Sequence, residues 1–489
     1  MEDDFDARSE AFMAWLKQSG AEISEKIQLA DLRTQHAGRG VVALHDIAED
    51  EPLFTIPRSA MLTSANSSLA QTHPSLLSAL PDPWLALTLA MLHEHLLGAS
   101  SRWSPYFAIL PTDFDTLMFW TDDELAELQA SAVRHKIGKE AADAAFREHI
   151  LPVVRQHRDV FFGAATGAPE LPDAEILALA HRMGSTIMAY AFDMEPEGGS
   201  AGKEVDEEGY ASEEEDEALP KGMVPLADML NADADRNNAK LYYGTDVVEM
   251  KAIKAIKAGE EIFNDYGPLP RSDLLRRYGY VSERYAQWDV IEVPRAMVID
   301  TARTANKLDD TAIEERAGYR LVDATLSYLD DHGILEEGYD ITNWTTPDAR
   351  EGFSDELIAL VATLLLDDTE FARLKKKQKL PKTEKLTPEI ASVLMEVVKK
   401  RAAEYPTSIV EDEGTDIGLS HEEFMQTMRN RFLRRKAMAV QVRLGEKKVL
   451  QKAEELLGEY LRSNNGTEAT ANKALERDGE RPSKKRKVA

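Results

Sequence analysis

Residues 220–281 read PKGMVPLADMLNADADRNNAKLYYGTDVVEMKAIKAIKAGEEIFNDYGPLPRSDLLRRYGYV, and their order decides the fold. A Leu-Ala-Asp-Met-Leu-Asn block opens the stretch, and residues 239–264 follow as two strand-like runs rich in β-branched and aromatic side chains. The turn Ala258-Gly259-Glu260-Glu261 leads to Asn264-Asp265-Tyr266-Gly267, and twelve residues past Tyr266 comes Tyr278, in Tyr278-Gly279-Tyr280. No one of these blocks carries the reading; their succession does.

Upstream, residues 21–57 also read as strands around a glycine turn. Gly38-Arg39-Gly40 precedes Val41, Val42 and Leu44, and Leu53, Phe54 and Ile56 lead to Pro57. Glycines at 38 and 40 let the backbone turn sharply and approach a ligand, although an isolated pair of this spacing is more often a plain turn. From Pro83 the pattern becomes helical, with Leu85 to Leu97 apolar enough to be buried. Thr121 before Asp122, Asp123 and Glu124 marks a helix start with favourable dipole charges. Further helices are expected over 138–162 and 173–192. Residues 195–217 are dense in acid, glycine and serine, a composition that cannot offset ordering entropy, and read as a disordered surface loop. From about 294 the chain is helical again, with candidate helices near 300–330, 353–377, 387–404 and 420–462. A polar segment, 463–489, ends the chain.

Length and composition bound the class. At 489 residues the chain exceeds one ordinary core, so two or more domains are expected. No apolar run approaches the roughly 20 residues of a membrane span, and the start, MEDDFDARSE, is acidic where a secretory signal would be basic. The absence of cysteine removes disulfides, thiol nucleophiles and cysteine-based zinc clusters. A net charge of −29 opposes general binding to nucleic-acid phosphates and favours basic protein partners, where it does more than aid solubility. His93 and His95 lie in an apolar helix as a structural pair, and no cluster has metal-ligand spacing.

The blocks quoted above resemble the C-terminal half of a SET domain, the fold of S-adenosylmethionine-dependent protein-lysine methyltransferases. A SET core split by a long helical insertion and followed by a helical domain is similar to the branch of the Rubisco large-subunit methyltransferase. The expected fold is therefore α+β. A SET domain would cover 21–290, with an insertion over about 58–220, and an all-helical substrate-binding domain would cover 294–462.

The resemblance also implies roles. Tyr266 takes the position of the catalytic tyrosine beside the transferring methyl group. Gly38, Arg39 and Gly40 supply backbone contacts to S-adenosylmethionine, and Asn231 holds its methionine portion, with Ala232 beside it and Asp228 helping by position, a merely structural role being the competing reading of Asp228. Tyr278 packs on the adenine or ribose side. Tyr190, Phe192 and Tyr280 line the cofactor and lysine channel, with core packing as the competing reading of all three. Family members usually follow the asparagine with histidine; here Ala232 leaves only main-chain contacts. The block Trp103-Ser104-Pro105-Tyr106-Phe107 reads as packing near the cofactor. The implied substrate is a basic non-histone protein, with a large-subunit ribosomal protein as the expected class. A non-catalytic SET-fold adaptor that recruits a basic protein is the competing function. Finally, Lys484, Lys485, Arg486 and Lys487 form a compact basic cluster of the kind a nuclear import receptor reads, which makes the nucleus the expected compartment.

Overall fold

A computed structural model describes residues 4–33, 37–163, 166–194, 220–305, 317–416 and 430–479. The acidic segment 195–217 and the basic cluster 484–487 lie outside the described residues. The chain divides into two compact units. The first comprises Met1–Trp120, His135–Leu269 and Asp273–Tyr285; the second comprises Thr121–Arg134, Pro270–Ser272 and Ala286–Ala489.

The first unit is built on three small antiparallel sheets. Strands β1 (Glu22–Ile23), β2 (Ile27–Asp31), β3 (Arg39–Ala43) and β4 (Pro52–Pro57) come first, and β5 (Leu62–Thr63) follows. After the helical insertion come β6 (Ala191–Asp193), β7 (Lys221–Met223), β8 (Ala239–Tyr243), β9 (Val247–Ala252) and β10 (Glu261–Ile262). Their spatial orders are β1-β4-β9-β8, β10-β3-β2 and β5-β7-β6. Strands from either side of the insertion thus pair directly, Thr55 opposite Glu249 and Val42 opposite Glu261, so the insertion interrupts the sequence of the core without interrupting its sheets. In β9 the alternation is strict: Val248, Met250 and Ala252 are buried and the residues between them are not, as a sheet with one packed face requires.

The insertion is helical, as its pattern predicts. Asp82 caps the helix Pro83–Leu97 by accepting from the Leu85 N–H at 2.8 Å, and nearly every side chain of that helix is buried. The helix Asp173–Tyr190 ends where β6 begins. The helical stretch expected over 138–162 is a series of short pieces, Lys139–Ala145, a five-residue π-helical segment, Leu151–Gln156 and Arg158–Phe162. Pro152, which has no N–H to give, sits just after the π segment, a common site of disruption in the ladder.

A further element lies where the composition suggests no helix. Residues Phe5–Gln18 form one, burying Ser9, Phe12 and Leu16. Its two acidic residues, Asp6 and Glu10, are exposed.

The second unit is mainly helical, with Asp355–Leu364, Asp368–Lys377, Pro388–Ala402 and Arg431–Gly479 as its clearest members. The expected 353–377 helix breaks at Asp367, which starts a new helix through a reciprocal capping box with Glu370. The last helix continues past 462 to Gly479. One correction to an all-helical unit is needed: β11 (Val290–Pro294) pairs antiparallel with β12 (Gly338–Thr342), with Ile291 and Val293 facing the core. Segment Thr121–Arg134, which falls within the expected insertion, belongs to this unit because its polar side chains are consumed there. Glu124 is bonded by Arg435 at 2.7 Å, Ser131 donates to Glu446 at 2.6 Å and Lys436 reaches Glu127 at 2.8 Å.

Candidate active site

The site assembles where two distant segments lie side by side. Asn231 and Ala232 run along Asn264: the Asn264 N–H donates to the Asn231 carbonyl at 2.8 Å, the Asp233 N–H donates to the Asn264 carbonyl at 3.1 Å, and Ala232 and Asn264 form a parallel bridge. The buried Asn238 side chain ties the same crossing, donating to the Glu261 carbonyl and accepting from the Phe263 N–H. Strand β10 is therefore gripped by β3 on one side and by residues 231–239 on the other. Main-chain bonding of Ala232 does not depend on its side chain, so the missing imidazole leaves this crossing intact.

Gly38-Arg39-Gly40 borders the crossing. A Cβ at Gly40 would come within 2.4 Å of Leu32 Cδ1, 2.8 Å of Glu261 Oε1 and 2.9 Å of Asn231 Nδ2, so any larger residue would displace these side chains, the Asn231–Glu261 pair among them. Gly38 has φ +65° and open space around the place of a Cβ, which leaves its backbone bare. Asn231 Nδ2 donates to the Arg39 carbonyl at 3.2 Å and to Glu261 Oε1 at 2.6 Å, linking loop, asparagine and carboxylate. Glu261 escapes the sequence reading as a site residue; its partner lies thirty positions away, and only the turn before it is legible. Burial pushes its carboxyl pKa up and the Asn231 bond opposes this. The Arg39 guanidinium is turned elsewhere, lying 3.8 Å over the Phe5 ring.

The tyrosines form one wall. The Tyr266 and Tyr278 rings stack with centroids 4.2 Å apart and an angle of 10° between planes, and Tyr280 follows at 6.5 Å from Tyr278. Burial drives the Tyr266 hydroxyl well above its ordinary pKa, with Tyr278, Tyr280, Tyr190 and Asp228 adding in that order, which places all four within electrostatic reach. The Tyr190 hydroxyl is pushed up to about 12 by burial and then by Asp228. Such hydroxyls stay protonated at any working pH. Phe192 lies opposite Gly222 in the β6–β7 pair, and both it and Tyr190 pack against the hydrophobic core.

Asp228 is an acid buried beneath this wall, 6% exposed, and the Tyr106 hydroxyl donates to its carboxylate. Two residues earlier, Leu226 holds φ +76°, a strained conformation for a branched side chain; the Met229 N–H closes onto the Leu226 carbonyl at 3.1 Å. The Tyr106 partnership is invisible in sequence, since 122 residues separate the two. Burial raises the Asp228 carboxyl to about 7, opposed by the Tyr106 hydrogen bond. The folded chain therefore holds this proton more tightly than the unfolded one. Its contribution is fully present below the unfolded value near 4 and is lost as pH rises through about 7. Across that window each step of one pH unit removes roughly 1.4 kcal/mol. Asp228→Asn should flatten that loss: between pH 5 and pH 8 the urea midpoint should fall less than in wild type, and identical falls would assign the titration elsewhere.

The two histidines are accounted for structurally. His93 sits edge-on to Phe161 at 5.5 Å, and Arg182 donates to the His95 ring at 3.1 Å. Among the described residues no group of three or more His, Asp or Glu could hold a metal ion.

Comparison with known proteins identifies the family. The SET domain model matches residues 38–267, and the Rubisco LSMT substrate-binding model matches residues 319–450. Ribosomal lysine N-methyltransferase 4 of Saccharomyces cerevisiae is 32% identical over 468 residues, covering 90% of this chain and 92% of the yeast protein. N-lysine methyltransferase SETD6 of Homo sapiens is 28% identical over 495 residues, covering 91% and 94%. Among solved structures, the SET domain of LSMT bound to lysine and AdoHcy superposes with a TM-score of 0.63 at 19% identity, covering 92% of this chain and 91% of that one. Rubisco LSMT bound to sinefungin and monomethyllysine gives 0.62, again at 19% identity, covering 93% and 92%. Both family models occur in order on one chain, and nearly the full length of the yeast relative is matched: the chain belongs to the SET-domain protein-lysine methyltransferases that carry a Rubisco LSMT substrate-binding domain.

Proposed function

We propose that the protein transfers a methyl group from S-adenosylmethionine to a lysine of a basic protein, with Tyr266 as the catalytic residue. The observation that carries this reading is the convergence of the Tyr266–Tyr278 stack and the Arg39–Asn231–Glu261 hydrogen-bond chain in one unit.

The residues present suit such a cofactor. Gly38 and Gly40 leave a stretch of backbone free of side-chain bulk, and a Cβ at Gly40 would clash. The groups around it are carbonyls, an amide, a carboxylate and tyrosine hydroxyls, and the Arg39 guanidinium is turned away onto Phe5. That donor set accommodates a zwitterionic amino acid next to a positive sulfur without adding like charge. Gly38, Arg39 and Gly40 would hold it through backbone groups, Asn231 and Ala232 at its amino-acid end, Asp228 from beneath, and Tyr278 and Tyr190 along its length. When bound, S-adenosylmethionine supplies an electrophilic methyl group on a sulfonium.

The chain's own task is positioning. A free lysine has a pKa of roughly 10.4 and is mostly charged at neutral pH, so a nucleophilic amine must shed its proton. A wall of Tyr266, Tyr280 and Tyr190 with little access to water disfavours the charged form and favours the neutral one. The Tyr266 hydroxyl remains protonated and able both to donate and to accept, so it orients the amine nitrogen. It also offers its oxygen to the charge that moves from sulfur to nitrogen.

The substrate is proposed to be a basic protein of the large ribosomal subunit. The yeast relative's name supports the ribosomal class, and the net charge of −29 favours a basic partner. Purified protein and labelled S-adenosylmethionine, added to an extract from cells lacking the enzyme, should label one small basic ribosomal protein. Labelling confined to acidic or non-ribosomal proteins would overturn this assignment while leaving the methyl transfer intact.

A further inference from the structure

The helix Phe5–Gln18 lies outside the residues matched to the SET domain, yet it touches both sides of the site. On one side is Arg39, between the two glycines of the cofactor loop. Its guanidinium lies over the Phe5 ring, Nε donates to Ser9 Oγ at 3.1 Å, Nη2 donates to the Phe5 carbonyl at 3.3 Å and Nη1 donates to the Ile109 carbonyl at 3.3 Å. Arg33, on the other side of the loop, lies 4.0 Å over the same ring. On the second side is Tyr106, whose hydroxyl bonds Asp228. The Trp15 ring stacks on Tyr106 with 7° between planes and centroids 6.3 Å apart, and Phe12 adds a contact at 6.0 Å.

We infer that this N-terminal helix is a brace for the methyltransferase site, acting through Arg39 on the glycine loop and through Tyr106 on Asp228. Arg39 is a positioning residue: its side chain faces the helix while its carbonyl accepts from Asn231. Ladder pairing with Ala30 and Asp31 of β2, and the Leu32 N–H donating to the Gly38 carbonyl at 2.8 Å, hold this backbone on one side. The two glycines add no side-chain anchor to it, so Arg39 is the one residue of the three whose side chain can tie it to the helix. A planar guanidinium with a fixed fork of donors, stacked on an aromatic face, can hold such a backbone in one place; a lysine at the same position keeps the charge but loses the fork and the stacking. Since cofactor contacts are carried by the backbone of residues 38–40, freeing the loop should weaken cofactor binding and spare the chemistry at Tyr266. The inference rests on the proposed assignment of that loop to S-adenosylmethionine.

The test uses the full chain and S-adenosylhomocysteine as the probe, titrated by calorimetry, with amide hydrogen exchange on the free protein. Arg39→Lys should raise Kd about tenfold and Phe5→Ala several-fold. The cofactor KM should rise in parallel in both variants, and the kcat of Phe5→Ala, a residue outside the site, should stay within about twofold. Exchange should quicken at residues 38–43 and stay unchanged in β9, where a general loss of stability would also be felt. Unchanged Kd in both variants would overturn the brace. So would exchange that quickens equally in β9, because the helix would then be a purely structural support. A wild-type protein that binds no S-adenosylhomocysteine would instead refute the assignment of the loop itself.

Discussion

Tyr266→Phe is expected to lower kcat by roughly a hundredfold or more, the usual cost of deleting one preorganised group at developing charge. The ring survives the change, and with it the stack on Tyr278 at 4.2 Å, so folding and cofactor binding should hold. The cofactor KM should stay within about twofold, the split expected when an interaction acts in the transition state alone. A pH arm sharpens the prediction. Because burial holds the Tyr266 hydroxyl well above its ordinary value, its ionisation cannot shape the profile at working pH. The wild-type rate should therefore climb with pH as more of the substrate amine loses its proton, and the Phe variant should climb in parallel from a lower base. A variant with wild-type kcat would remove Tyr266 from the chemistry.

Arg435→Met should strongly destabilise the second unit. Arg435 is 1% exposed and its partner Glu124 is 6% exposed, with 2.7 Å between them. Glu124 also completes the capping box that starts the helix Asp122–Ala126. Removing one partner of a buried pair strands the other charge out of water, a loss of about 3–5 kcal/mol. The double variant Arg435→Met with Glu124→Gln keeps an acceptor for the Thr121 N–H but removes the stranded charge, so it should recover a good part of that loss. Denaturant midpoints of the two variants measure the difference. A single variant within about 1 kcal/mol of wild type would show that water reaches the pair.

Both predictions depend on contacts of very different legibility. The core strands are readable because β-branched alternation and turn glycines are local signals, and the tyrosines are readable from their order in one stretch of sixty residues. Tyr106 with Asp228, Glu261 with Asn231 and Arg435 with Glu124 are not, because a hydrogen bond between positions 122, 30 or 311 residues apart leaves no periodicity. The N-terminal helix is hidden for another reason: its fully buried apolar residues, Phe12 and Leu16, are two in fourteen, too few to mark a periodic stripe. The strand Val290–Pro294 escapes notice although Ile291 and Val293 alternate correctly, since five residues are too few to stand out in a helical neighbourhood. Asp367 and Glu370 do spell a capping box, a local signal strong enough to split the 353–377 helix there.

The most direct test of methyl transfer to lysine is amino-acid analysis of the labelled product. A ribosome-rich extract lacking the enzyme is incubated with methyl-labelled S-adenosylmethionine and wild-type protein or Tyr266→Phe, and the protein fraction is hydrolysed to free amino acids. Label recovered as Nε-methylated lysine with wild type, and nearly absent with Tyr266→Phe, is the expected result. Label on any other amino acid, or equal label with both proteins, would contradict it.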